Sequence, residues 1–160
     1  MHIKSGFEQA VYALLLLDML PEKAVLPGEA ISEHLSNSPS YLQKLIRKLV
    51  HAGIVTSVTG VKGGFKLSKN PEDIQIYDVY VAIEGNQSMY SSNGVLSSLL
   101  RIDKDDCECL LENIMLEAES NWIKTLKQKT ISTLAKDLQS GPFDSKVKPI
   151  EKWIQEKMVL

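Results

Sequence analysis

The sequence predicts a mainly α-helical fold with one small β-hairpin, on three observations. Apolar residues recur at helical spacing along most of the chain. Residues 54–68 break that rhythm: "IVTSV" is rich in β-branched residues, "GVKGG" supplies a turn, and "FKLS" alternates apolar and polar. The chain has 160 residues, 44% apolar and 24% charged, which suits one globular domain or a domain with an extension.

The elements follow in order. Phe7, Ala10, Val11, Leu14, Leu15 and Leu17 give the broad apolar face of a helix over Ser5–Leu20. Ser5 with Glu8 three residues on has the form of a capping box, and Pro21 closes the helix. The run Val11–Leu20 is too short to span a bilayer, contains Asp18, and lacks a cleavage-site pattern after it, so a cytoplasmic protein with no membrane partner is expected. A second helix starts near Pro27 and runs to Leu35. After the polar break "SNS", Ser38 caps a third helix with Pro39 in its first turn. Leu42, Leu45, Ile46 and Leu49 form its buried stripe, and Gly53 ends it.

Past the hairpin, "NPED" opens a helix over Ile76–Glu84, ending at Gly85. A loop and a short helix occupy residues 86–104. One long helical pattern then runs from Asp105 to about Leu138, a rod of roughly 45–50 Å at ~1.5 Å per residue. A rod of that length with one apolar stripe is expected to pack on a second copy of the chain. Its candidate interface residues are Leu110, Leu111, Ile114, Met115, Ala118, Trp122, Ile123 and Leu126. A terminal helix over Pro149–Met158 completes the chain. Helix, helix, polar turn, helix and hairpin in that order make a winged helix-turn-helix. The expected organisation is a winged helix-turn-helix domain over 1–85, a connecting loop and short helix over 86–104, and a long dimerisation helix with a C-terminal helix over 105–160.

Charge is divided unevenly. Residues 1–70 carry a balance of +3 and residues 71–160 a balance of −5, within a net −2. No carboxylate occurs between Glu33 and Glu72. A polyanion partner for the first half and a solvated basic face both fit the charge alone; position decides. With its leucines turned inward, the third helix shows Ser40, Tyr41, Gln43, Lys44, Arg47, Lys48 and His51. Gln43 and Arg47 lie one turn apart and can each make paired contacts to purine edges. Lys44 and Lys48 suit phosphates, and Ser38 with the free helix N–H groups adds an anion site. The hairpin contributes Thr59, Lys62, Gly63 and Lys66. Double-stranded DNA is the expected partner. A protein-interaction adaptor that keeps the winged helix but reads no sequence is the alternative. No nucleophile, base or metal set converges, so an enzyme is not expected.

"SPSYLQKLIRKLVHAGIV", followed by "GVKGGFKLSKNPEDIQIYDVYVAIEG", closely resembles the Rrf-two family of bacterial winged-helix transcription regulators. The resemblance covers Met1–Gly85 and continues more weakly into the long helix. It implies a homodimer that binds a near-palindromic operator, usually as a repressor. The family often has Arg just before Gly60, where this chain has Thr59; Lys62 is then the nearest cation of the wing. Some members hold an iron–sulfur cluster through three cysteines ahead of the long helix, and some place an acidic ligand where Glu8 stands. This chain has only Cys107 and Cys109, one ligand short, so no cofactor and no metal are expected. The pair is either a thiol sensor of oxidants or electrophiles, or without a sensing role. Asp105, Asp106 and Glu108 beside it are expected to raise the thiol pKa values.

Overall fold

A computed structural model describes residues 3–103 and 109–160. Its described residues form eight α-helices and one antiparallel hairpin: α1 (Ser5–Asp18), α2 (Gly28–His34), α3 (Pro39–His51), β1 (Val55–Val58), β2 (Gly64–Leu67), α4 (Ile76–Glu84), α5 (Val95–Leu100), α6 (Leu110–Lys127), α7 (Ile131–Ser140) and α8 (Asp144–Lys157). The mainly helical winged architecture is the one the sequence predicts.

α1 is the central post. Ala10, Val11, Ala13 and Leu14–Leu17 are all buried, so α3, α4, α7 and β2 can pack around it. Its first turn differs from expectation. Ser5 lies inside the helix, Lys4 is the cap residue, and no side-chain cap forms. The Ser5–Glu8 box is replaced by a longer reach: the Lys4 backbone N–H donates to Glu84 Oε1 at 3.2 Å. A carboxylate from the end of α4 thus meets the positive end of α1.

α2 and α3 pack together around Ile31, Leu42, Leu45, Ile46 and Leu49. The hairpin pairs Val55 with Leu67 and Val58 with Gly64. Leu26 joins it, exchanging backbone hydrogen bonds with Phe65 at 3.0 and 2.9 Å. Gly64 is required there, because a Cβ would stand 2.7 Å from the Leu26 carbonyl oxygen. One residue earlier, Val25 exchanges bonds with Val159 at 2.9 Å, so the end of the chain returns to the base of the wing.

The single long helix expected over 105–138 is two helices, and residues 104–108 lie outside those described. The break falls at Gln128–Thr130. Ile76 N–H donates to Lys129 O at 2.9 Å and Ile131 N–H to Ile74 O at 3.0 Å, so the chain leaves the helix to pair with residues 74–76. Thr130 and Thr133 form a reciprocal capping box that restarts the helix, and Ile131 is fully buried. α7 therefore folds back on α1 of its own domain. α8 also begins earlier than expected, at Asp144. Pro149 lies within it and has no N–H to donate to the carbonyl of Ser145, an exposed residue. Ile154 is buried, and Trp153 stacks on His34 of α2 with ring centroids 4.0 Å apart.

Candidate nucleic-acid interface

α3 is built to present one face. Ser38 Oγ accepts the Tyr41 backbone N–H at 3.3 Å, and Pro39 occupies the first turn, where its missing N–H leaves no helix bond unmade. Opposite the buried leucines, Ser40, Gln43, Lys44, Arg47 and His51 are exposed. A groove of about 370 Å³ runs between this helix and the hairpin. Gln43, Arg47 and His51 line one side, Ser57 and Phe65 the other.

The wing tip is fixed by its glycines. Gly60 has φ +114°, and at Gly63 a Cβ would lie 2.5 Å from the Val58 carbonyl oxygen. This tight turn pushes Val61 fully into solvent, beside exposed Thr59 and Lys62. No carboxylate lies on α3, on the hairpin or at the tip.

Three residues with expected roles at the interface also have other surroundings. Lys48 Nζ donates to the Ile83 carbonyl at 2.6 Å, which ties α3 to the C-terminal end of α4. The ammonium expected at a phosphate instead satisfies a helix-end carbonyl, where a cation is favoured. Tyr41 leans on α1: a Cβ at Gly6 would come within 2.8 Å of its hydroxyl. Lys66 pairs with Thr56 on the face of the hairpin opposite Ser57 and Phe65, and it lines a different cleft, with Asp18 and Lys69. The brace of Lys48 gave no signal in the sequence, because its partner is a backbone carbonyl 35 residues away.

The residues singled out on α6 divide into two groups. Leu110, Leu111, Ile114 and Ala118 are exposed. Met115, Trp122, Ile123 and Leu126 are half-buried; Trp122 meets Tyr80 of α4 edge-on at 4.6 Å, and Leu126 packs on the core. The structure adds Val95, Leu99 and Leu100 of α5, with Ile102 and Leu116, to the exposed apolar residues. α5 sits directly before α6, and its apolar run was legible, but its exposure was not.

Cys107 lies outside the described residues. Cys109 is the cap residue of α6, with Tyr90 Oη 3.6 Å from its Sγ. Its thiol pKa is lowered, against the expectation from neighbouring acids. Hydrogen bonds from Ser92 and Tyr90, with the backbone N–H groups of Glu112 and Leu111, favour the thiolate and outweigh desolvation.

A helix-turn-helix with a glycine-tipped, cationic wing defines the chain as a winged-helix protein. Residues 3–137 match the family described as "Rrf2: Iron-dependent Transcriptional regulator". The chain belongs to this family of transcription regulators. It is 48% identical over 131 residues to YwgB of Bacillus subtilis, covering 82% of each chain. It is 34% identical over 157 residues to YffB of Lactococcus lactis, covering 98% of this chain and 99% of that one. Among solved structures it resembles CymR, the global cysteine regulator of B. subtilis, with a TM-score of 0.68 at 20% identity over 85% of this chain and 97% of that one.

The family's description names iron, and Cys107 lies outside the described residues. Clusters are held by about four thiolates, and the sequence has two cysteines. Cys109 is surrounded by hydroxyls, and no group of three or more His, Cys, Asp or Glu converges among the described residues. No helix among them is long and apolar enough to cross a membrane.

Proposed function

We propose that this protein is a cytoplasmic homodimeric repressor that binds a near-palindromic operator in double-stranded DNA. α3 enters the major groove. Ser40, Gln43 and Arg47 face base edges there, while Lys44 and the capped N-terminus at Ser38 take phosphates. The wing tip, with Thr59, Lys62 and Gly63, follows the adjacent backbone. Lys48 and Tyr41 act at one remove, by holding α3 in place, and Lys66 lies on the far face of the hairpin.

The observation that carries this reading is the outward face of α3, polar and cationic, set beside a protruding wing with no carboxylate on either element. The homodimer rests on the apolar residues left exposed on α5 and the first half of α6. Each of Val95, Leu99, Leu110, Leu111 and Ile114 leaves half or more of its surface in water, area that a second copy would cover. The redox response rests on Cys109, a thiol with a lowered pKa at the start of that same helix. Oxidation there would alter the surface that joins two copies.

Fluorescence anisotropy with the duplex upstream of the gene encoding the chain tests the reading. Arg47→Ala is expected to weaken binding and relax base preference, and unchanged affinity for specific and scrambled duplexes alike would overturn the site assignment.

A further inference from the structure

A second cleft, of about 450 Å³, opens at the base of the hairpin on the face of β2 turned away from α3. That volume lies within the range of small-molecule sites, about 300–1,000 Å³. Leu20 and Leu67 supply apolar lining. Asp18 at the end of α1 and Glu22 just beyond it line the cleft, as do Lys66 of β2 and Lys69 just after that strand.

The acidic wall is strongly biased toward a cation. α1 ends at Asp18, so the negative end of the helix faces the same side as its carboxylate, and no basic residue occupies the last turn to balance it. Partial burial raises the Asp18 pKa, which reflects a carboxylate held away from water without a compensating charge. The basic wall is likewise unneutralised. Among the described residues the only ion pair within 4.0 Å is Lys136–Glu72, whose members do not line the cleft. The cleft thus holds opposite charges that do not pair with each other, together with apolar surface.

We propose that this cleft binds a small zwitterion of the α-amino acid class, its ammonium on Asp18 and its carboxylate between Lys66 and Lys69. A molecule with both charges on a short frame satisfies both walls at once, whereas a simple anion or cation leaves one wall unmatched. Lys66 stands on β2, two residues from Gly64, so the ligand would bear directly on the strand that carries the wing. This consequence rests on the DNA-binding reading; the binding itself does not.

The test uses the full chain without DNA. Each common L-amino acid is titrated to about 10 mM, since a 1 mM dissociation constant corresponds to about 4 kcal/mol and is ample for a metabolite sensor. Amide nitrogen–proton spectra are the readout. At least one amino acid is expected to give saturable shifts confined to residues 17–24 and 66–71. Its N-acetyl and methyl-ester forms, each lacking one charge, should bind at least about tenfold more weakly, as should Asp18→Asn and Lys69→Gln. The spectra themselves report whether each variant is folded. No saturable shift with any amino acid overturns the proposal, as does binding that survives both charge-blocked forms and both variants. Operator affinity measured with and without the amino acid then tests the coupling to the wing. A change supports the coupling, no change removes it, and neither alters the binding result.

Discussion

Lys48 offers the sharpest separation between holding the recognition helix and touching DNA. Its ammonium donates to the Ile83 carbonyl at 2.6 Å, across the junction of α3 and the end of α4. A hydrogen bond from a charged donor contributes about 1.5–3 kcal/mol, and a cation at a helix C-terminus about 0.3–1 kcal/mol. Because Lys48 is exposed over much of its surface, solvent screening pulls the sum down to about 1–2 kcal/mol. For a chain of this size, Lys48→Ala is therefore expected to lower Tm by about 3–6 °C. Thermal unfolding by circular dichroism gives that number. Operator titrations over a series of salt concentrations give the discriminating one. A lysine on a phosphate contributes about 0.9 to the slope of log affinity against log salt. As a brace, Lys48→Ala weakens binding through a loosened α3 while leaving the slope unchanged. A slope that falls by about 0.9 with no loss of Tm would refute the reasoning and return Lys48 to the phosphates.

The remaining predictions concern the interface and the thiol. Arg47→Ala should cost about 1–3 kcal/mol of operator binding and relax preference at one base position, read by anisotropy with single-base variants of the duplex. Lys62→Ala should weaken binding about equally across sequences and reduce the salt slope by about 1, in the same titrations. Gly63→Ala forces a Cβ to within 2.5 Å of the Val58 carbonyl oxygen, so the hairpin must shift; a loss of about 1–3 kcal/mol is expected from denaturant unfolding. The Cys109 thiolate should form at lower pH than an ordinary cysteine, whose pKa is about 8.5. Its alkylation by iodoacetamide should therefore accelerate at a lower pH, and Ser92→Ala or Tyr90→Phe should move that profile upward.

Much of the DNA-facing half was legible because its determinants are local. The buried stripe of α3, its Ser38 cap and the Pro39 start are all set within a few residues, as is the glycine-rich turn of the wing. The bounds of α4 followed from apolar spacing and from Gly85, and α5 falls within the stretch 86–104 expected to hold a loop and a short helix. The misreadings involve partners distant in sequence. The helical rhythm from Leu110 to Leu138 hides a break at Thr130, because the pairing that draws residues 129–131 out of the helix comes from residues 74–76. The Thr130–Thr133 spacing was the one local sign of that restart. Ser5 and Glu8 have the right types for a capping box, yet Glu84, brought in by α4, takes the N-terminal position. Acids flanking Cys109 in sequence pointed to a raised thiol pKa, whereas hydroxyls from residues 90 and 92 lower it. Lys66 has the right charge for a wing, and strand alternation turns it to the other face.

In the proposed function, α3 reads base sequence as part of a symmetric dimer. Selection of duplexes from a randomised pool by the full chain, followed by sequencing, tests it most directly. An enriched two-fold-symmetric motif is expected, with half-sites about one or two helical turns apart, that is lost when the selection is repeated with Arg47→Ala. Recovery of no motif at moderate salt, or of the same motif with Arg47→Ala, would contradict it.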